Sequence, residues 1–102
     1  MPIKATETSF LAASPLVAWA EFVELTGIRE DRIRELMELG WLQPSSQANE
    51  APLFRQIDIY KTRKVDRLCE DFELPSLAGA IIVDLLERIE ELEKRLKEPS
   101  RY

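Results

Sequence analysis

At 102 residues, 45% of them hydrophobic, the chain suffices for one domain with one modest core and is too apolar to remain disordered. Its net charge of −5 and pI near 4.8 weigh against nucleic acid as a partner, because the cations are not gathered on one face: residues 1–57 hold five Lys/Arg against eight Asp/Glu, and residues 58–102 hold nine against eleven. There is no histidine and a single cysteine, which excludes the commonest general base, the commonest metal ligand and an internal disulfide, and fits a reducing cytoplasm.

Residues 1–17 read as an N-terminal arm. Met1 to Thr8 is polar, and Phe10 to Ala13 suits a short extended piece. Ser14-Pro15 carries the signature of a helix start, serine as cap and proline in the first turn, with Ala18 as the alternative start. Ala18, Phe22 and Leu25 then fall on one face at helical spacing and are expected in the core, leaving Glu21 and Glu24 to solvent. Thr26-Gly27-Ile28 is a tight turn. A second helix is expected over Arg29 to Leu39, closed by Gly40, with Pro44 beyond it as a further stop. Ile33, Leu36 and Met37 share its apolar face, which Leu39 extends, and Trp41 and Leu42 should fold back on the core. A helix, a glycine turn and a second helix make a helix-turn-helix, whose second helix is the one that enters DNA. Here that helix sets Glu30, Asp31, Glu35 and Glu38 against Arg29, Arg32 and Arg34, which makes it a poor phosphate binder.

Residues 43–52 have loop composition, and Leu53 to Ile57 reads as a short returning strand, so a hairpin-like wing is expected. Asp58 suits the cap of a third helix. Val65, Leu68, Cys69 and Phe72 form its apolar stripe, with Cys69 a buried small hydrophobe rather than a nucleophile. Lys61, Arg63, Lys64 and Arg67 make the one basic cluster, read as a solvated helix face. Glu73 to Ser76 breaks the chain, and from Pro75 to Lys97 the pattern is helical without interruption. Ala78, Ile82, Leu85, Ile89, Leu92 and Leu96 are spaced 4, 3, 4, 3, 4, the rhythm of a coiled-coil seam. Leu77, Ile81 and Leu86 widen the apolar surface in the first half only. Residues 76–86 are therefore expected on the chain's own core and 89–96 against another chain. Glu90–Lys94, Glu91–Arg95 and Glu93–Lys97 are acid-before-base pairs that favour the helix by about 0.2–0.5 kcal/mol each. A helix this exposed is marginal alone, so a two-fold homodimer is expected, with Ile82, Leu85, Ile89, Leu92 and Leu96 at its interface. The division is an arm at 1–17, a core at 18–75, a dimerisation helix at 76–98 and a tail at 99–102.

Catalytic machinery finds no footing. Three scattered glycines make no phosphate loop, no Cys/His spacing suits a metal, and no serine has a histidine to activate it. The expectation is a non-enzyme with no cofactor and no metal. No signal peptide is evident, and the longest apolar run, Leu16 to Ala20, falls far short of a membrane span.

The order of these pieces resembles the mercury-resistance-regulator (MerR) type of winged helix-turn-helix: mainly α, with a wing and a long C-terminal dimerisation helix. Within it, the chain is most similar to the chaperone-modulator family, CbpM, over roughly residues 18–97. The resemblance is carried by F-V-E-L-T-G-I at 22–28, E-L-G-W-L-Q-P at 38–44 and L-P-S-L-A-G-A-I-I-V-D-L-L-E-R-I at 74–89. The DNA-binding regulators typically have an Arg-Tyr/Phe-Tyr run in the second helix, where this chain has Arg34-Glu35-Leu36. Their wing typically carries Tyr-Arg-x-Tyr, where this chain has Phe54-Arg55-Gln56-Ile57. Hydroxyls that reach phosphate are missing, and a carboxylate beside a phosphate costs binding.

The resemblance implies a cytoplasmic, non-catalytic partner of a DnaJ-type co-chaperone. Such modulators bind the J-domain of CbpA-like co-chaperones on the surface that the chaperone DnaK needs, and so restrain it. J-domains present a basic helix, for which an acidic winged-helix dimer is a fitting mate. Glu21, Glu24, Glu35 and Glu38, on exposed faces of the first two helices, are the expected contacts. The alternative is a DNA-binding regulator using Arg29, Arg32, Arg34, Arg55 and the Lys61–Arg67 cluster. A third possibility is an oligomerisation module that binds neither.

Overall fold

The computed structural model describes residues 15–48 and 51–98. In chain order these form β1 (Val17–Ala18), α1 (Trp19–Thr26), α2 (Glu30–Glu38), β2 (Ser46–Ala48), β3 (Ala51–Phe54), α3 (Gln56–Phe72) and α4 (Ser76–Lys97). The fold is mainly helical, a helix-turn-helix followed by a wing and two longer helices. The arm residues Phe10 to Ser14 lie outside the described residues.

Of the two helix starts the sequence offers, the structure takes the one at Ala18, which caps α1, and not the one at Ser14-Pro15. Val17 and Ala18 instead pair antiparallel with Phe54 and Leu53, adding a third strand to the hairpin, in the order β1-β3-β2. This pairing satisfies backbone groups just before α1 and buries Val17, while Ala18 points outward instead of joining the core. The wing itself pairs Ser46 with Leu53 and Ala48 with Ala51. Its return strand ends at Phe54, because Gln56 and Ile57 already belong to α3. Asp58 accepts a bond from the Arg55 N–H at 3.2 Å, but from inside the first turn of α3 and not from the cap position. Arg55 is the cap residue, and the carboxylate in the first turn reaches back to it, the acidic half of a capping box.

The core joins all four helices and the sheet. Phe22 and Phe54 stack at 4.4 Å between centroids, and Val17, Ile33, Leu36, Leu42, Val65, Cys69, Ala80 and Val83 complete it. The turn after α2 follows its glycine. Gly40 takes φ +80°, and the Trp41 and Leu42 N–H groups both return to the Leu36 carbonyl, at 3.0 and 3.1 Å. This brings Leu42 into the core and the Trp41 indole N–H to Asp84 at 2.9 Å, which pins the loop to α4.

Three apolar residues expected inside are on the surface: Leu25 at 49% exposure, Leu39 at 46% and Phe72 at 66%. In α1 the buried face runs through Phe22 and Thr26, four apart, and Leu25 lies beside it. Thr26 tolerates burial because its hydroxyl donates to the Val23 carbonyl at 3.0 Å. Leu39 and Phe72 sit at or beside helix ends, where the chain turns away from the core.

α4 departs most from expectation. Its core face is Ser76, Gly79, Ala80 and Val83, not the large residues of its first half. Gly79 sits where a Cβ would overlap Cys69 Sγ and stand 3.3 Å from Val65, so glycine lets α4 lie close on α3. Leu77, Ile81, Leu85, Leu86, Ile89, Leu92 and Leu96 are all exposed and Ile82 is half-buried. The helix therefore carries two apolar faces, a small-residue face turned inward and a large-residue face turned outward along its whole length. Its second half projects from the body, which fits a radius of gyration of 16.4 Å where a compact 100-residue domain has about 13 Å.

The acidic face of helix α2 as candidate functional site

α2 is strongly amphipathic, and its outward residues are Glu30, Asp31, Arg34, Glu35 and Glu38. Ile33 and Leu36 are fully buried and hold the helix against the core. The outward face thus sets four carboxylates against one guanidinium. That guanidinium is already engaged. Arg34 Nη2 lies 3.2 Å from Glu30 Oε1, one turn back, and its Cζ stands 4.9 Å over the Trp19 ring.

Arg32 points the other way and is buried. Its Nε donates to Asp66 at 3.3 Å, its Nη2 to Glu70 at 3.0 Å and its Nη1 to Ser76 Oγ at 2.9 Å. The Ser76 hydroxyl in turn donates to Glu35. One guanidinium thereby ties α2 to α3 and to the start of α4. Burial works to lower its pKa, but the Cys69 sulfur, Glu70 and Asp66 outweigh it and the net shift is upward, so Arg32 stays charged. It cannot serve as a phosphate contact, contrary to the DNA-binding alternative.

Of the other cations of that alternative, Arg29 is exposed at the cap of α2 and the rest divide into two groups. Arg55 is paired with Asp58 at 3.0 Å, which raises its pKa, and Lys61 lies 3.6 Å from Glu87. Arg63, Lys64 and Arg67 line a cleft of about 500 Å³ against the Thr26-Gly27-Ile28 turn, together with Tyr60, Asp66 and Glu70. Lys64 Nζ sits 5.0 Å over the Tyr60 ring.

Of the four expected acidic contacts, the structure brings Glu35 and Glu38 together. They flank a notch of about 290 Å³ between the end of α2 and the start of α4, completed by Leu39, Ser76 and Leu77. Glu21 and Glu24 are exposed on the outer face of α1 and do not line this notch. The expected interface residues Leu85, Ile89, Leu92 and Leu96 form one exposed row on α4, with Ile82 half-buried beside it. Sequence reasoning missed Arg32 as a structural hub and Leu39 and Leu77 as surface residues. A usable signal for the hub was Asp66 and Glu70, four apart and one residue after Val65 and Cys69 of the α3 stripe.

Among the described residues no three His, Cys, Asp or Glu side chains converge as a metal site, and no helix is long and apolar enough to cross a membrane. No curated protein matches the chain. The family profile described as MerR HTH family regulatory protein matches residues 17–100, from β1 through α4, and the chain belongs to this family.

Proposed function

We propose that this chain is a chaperone modulator: a non-catalytic cytoplasmic protein that binds the J-domain of a DnaJ- or CbpA-type co-chaperone and blocks its productive engagement of DnaK. The observation that supports it is the α2 face. The helix that reads DNA in this fold presents four carboxylates outward and turns Arg32 inward onto Asp66 and Glu70. Such a face repels a phosphate backbone and suits the basic helix of a J-domain. Complementary charge raises association rates toward roughly 10⁸–10⁹ M⁻¹s⁻¹ at low salt, against about 10⁵–10⁶ for neutral partners. Occlusion of a partner's surface requires no catalytic group.

The test is a titration of purified J-domain against wild type and an Asp31→Lys/Glu38→Lys variant. These two are chosen because Glu35 is occupied by Ser76 and Glu30 by Arg34. Association should slow by at least about tenfold, mostly at low salt, and co-chaperone stimulation of DnaK should return. A wild-type protein that ignores every J-domain offered but takes up duplex DNA at physiological salt would refute the proposal. The Arg63, Lys64 and Arg67 cleft is the observation that favours this second reading, a DNA-binding regulator.

A further inference from the structure

Four carboxylates explain attraction but not grip, since exposed ion pairs contribute little to affinity. A partner held in place needs apolar area beside the charge. The surface that offers both is the notch where α2 ends and α4 begins. Glu35 and Glu38 flank it, Leu39 and Leu77 supply its apolar walls, and Ser76 lines it. Leu39 is 46% exposed and Leu77 is 53% exposed, although both sit at the ends of helices packed on the core.

Leu77 begins the outward apolar face of α4 and lies at its edge. Its neighbours Ser76, Gly79, Ala80 and Val83 face the core. The exposed row of Leu85, Ile89, Leu92 and Leu96 faces the opposite side. At about 100° of rotation per residue, Leu77 lies roughly a quarter-turn from that row, on the flank next to α2. Two leucines on different elements converge there under a pair of carboxylates. Glu35 is also oriented by the Ser76 hydroxyl, which Arg32 holds from behind. The acidic wall is therefore braced by the fold.

We infer that this notch receives a long basic side chain, together with its apolar neighbours, from a cationic amphipathic helix of a protein partner. A lysine or arginine stem lies across Leu39 and Leu77 while its charged head reaches Glu35 and Glu38, the usual division of such side chains between apolar and polar surroundings. The notch, of about 290 Å³ and walled by two leucines and two carboxylates, has room for one or two side chains. The inference rests on the J-domain reading and names the contact that would give it affinity.

The experiment is calorimetric titration of a purified J-domain into wild type, Leu39→Ser, Leu77→Ser, Glu38→Lys and Phe72→Ser. Circular dichroism melting checks that each variant is folded, and sedimentation checks its oligomeric state. Leu39→Ser and Leu77→Ser should each weaken binding by about tenfold, mainly through faster dissociation, with unchanged oligomeric state; Glu38→Lys should weaken it at least as much. Phe72→Ser, more exposed still but outside the notch, should leave affinity as in wild type. If the J-domain binds wild type and both leucine variants equally, the notch is overturned while the functional proposal stands. The notch is likewise overturned if Phe72→Ser does as much as Leu39→Ser, or if Leu77→Ser changes only self-association. If no J-domain binds wild type, the functional proposal fails, and a helical Lys/Leu peptide becomes the probe. Peptide binding that is lost in the leucine variants would keep the notch, and no binding would overturn it too.

Discussion

Arg32 decides between a fold-building and a nucleic-acid-reading α2, so its replacement is the most informative perturbation. In Arg32→Leu the apolar stem is retained and the charge removed. Three groups lose a partner. Ser76 Oγ keeps its bond to Glu35 and loses little. The Glu70 side chain is 58% exposed and returns to water, at a cost of about 0–1 kcal/mol. The Asp66 side chain is only 22% exposed and loses a hydrogen bond to a charged donor, which costs about 1.5–3 kcal/mol. The expected total is about 2–4 kcal/mol. With a slope of about 1–1.5 kcal/mol per molar urea for a protein of this size, the unfolding midpoint should fall by roughly 2 M. Glu70→Ala should cost under about 1 kcal/mol by the same reasoning, and Asp66→Asn in the Arg32→Leu background should recover part of the loss. Urea unfolding followed by circular dichroism measures all of these. If Arg32→Leu shifted the midpoint no more than Glu70→Ala, the guanidinium would be idle in the fold. If the variant stayed stable but lost DNA binding, the DNA-reading alternative would be restored.

Other consequences follow from α4 and its seat on α3. Gly79→Ala should destabilise by up to about 2 kcal/mol, because overpacking against Cys69 and Val65 offsets the gain of roughly 1 kcal/mol from replacing a helical glycine; a Cys69→Ala background should remove most of that penalty in a double-mutant cycle. The exposed α4 row predicts a wild-type dimer in sedimentation equilibrium that Leu85→Glu/Ile89→Glu converts to monomer; a monomeric wild type would refute the dimer, and a dimer that persists in the variant would place the interface elsewhere. Burial pushes the Cys69 thiol up from its ordinary 9.0, against the opposing pull of Arg32. The unfolded chain therefore releases this proton first as pH rises, and stability should fall above about pH 9, by at most about 1.4 kcal/mol per unit, with a slope absent from Cys69→Ala. Below about pH 9 a thiol reagent should react with buried Cys69 only at the rate of unfolding.

Local rules make much of the fold legible. Gly40 and Pro44 mark the end of α2, Pro75 the start of α4, and the loop composition of 43–52 the wing. What escapes are choices made by packing partners distant in sequence. β1 exists because Phe54 and Leu53 offer Val17 and Ala18 an edge, and nothing near Ser14-Pro15 encodes that edge. The periodic pattern of α4 is apolar as expected, but its first half turns to a different neighbour. Large side chains at 77, 81 and 85 suggest a core face, whereas close packing on Cys69 demands small ones at 79, 80 and 83. Within the site, exposure of Glu35 and Glu38 follows from helical periodicity. The inward turn of Arg32 does not, because it depends on Asp66 and Glu70, which stand 34 and 38 residues away.

That inward turn acts on two surfaces at once. Facing outward, Arg32 would cut the excess negative charge of α2 by a third, from −3 to −2, and Asp66 and Glu70 would oppose the cations of the α3 cleft. Facing inward, it leaves the α2 face at its full negative charge and offsets one of the two negative charges that line the cleft with Arg63, Lys64 and Arg67. The chain's charge is thereby sorted into an acidic α2 face and a cationic excess at the α3 cleft without any change in net composition. Sorting by an internal salt bridge explains how a chain with cations and anions spread through both halves can still present a predominantly acidic face. It also sets a limit on design: replacing Asp66 or Glu70 loosens Arg32 and so alters surface charge and stability together, whereas outward acids such as Asp31 and Glu38 change the first without the second.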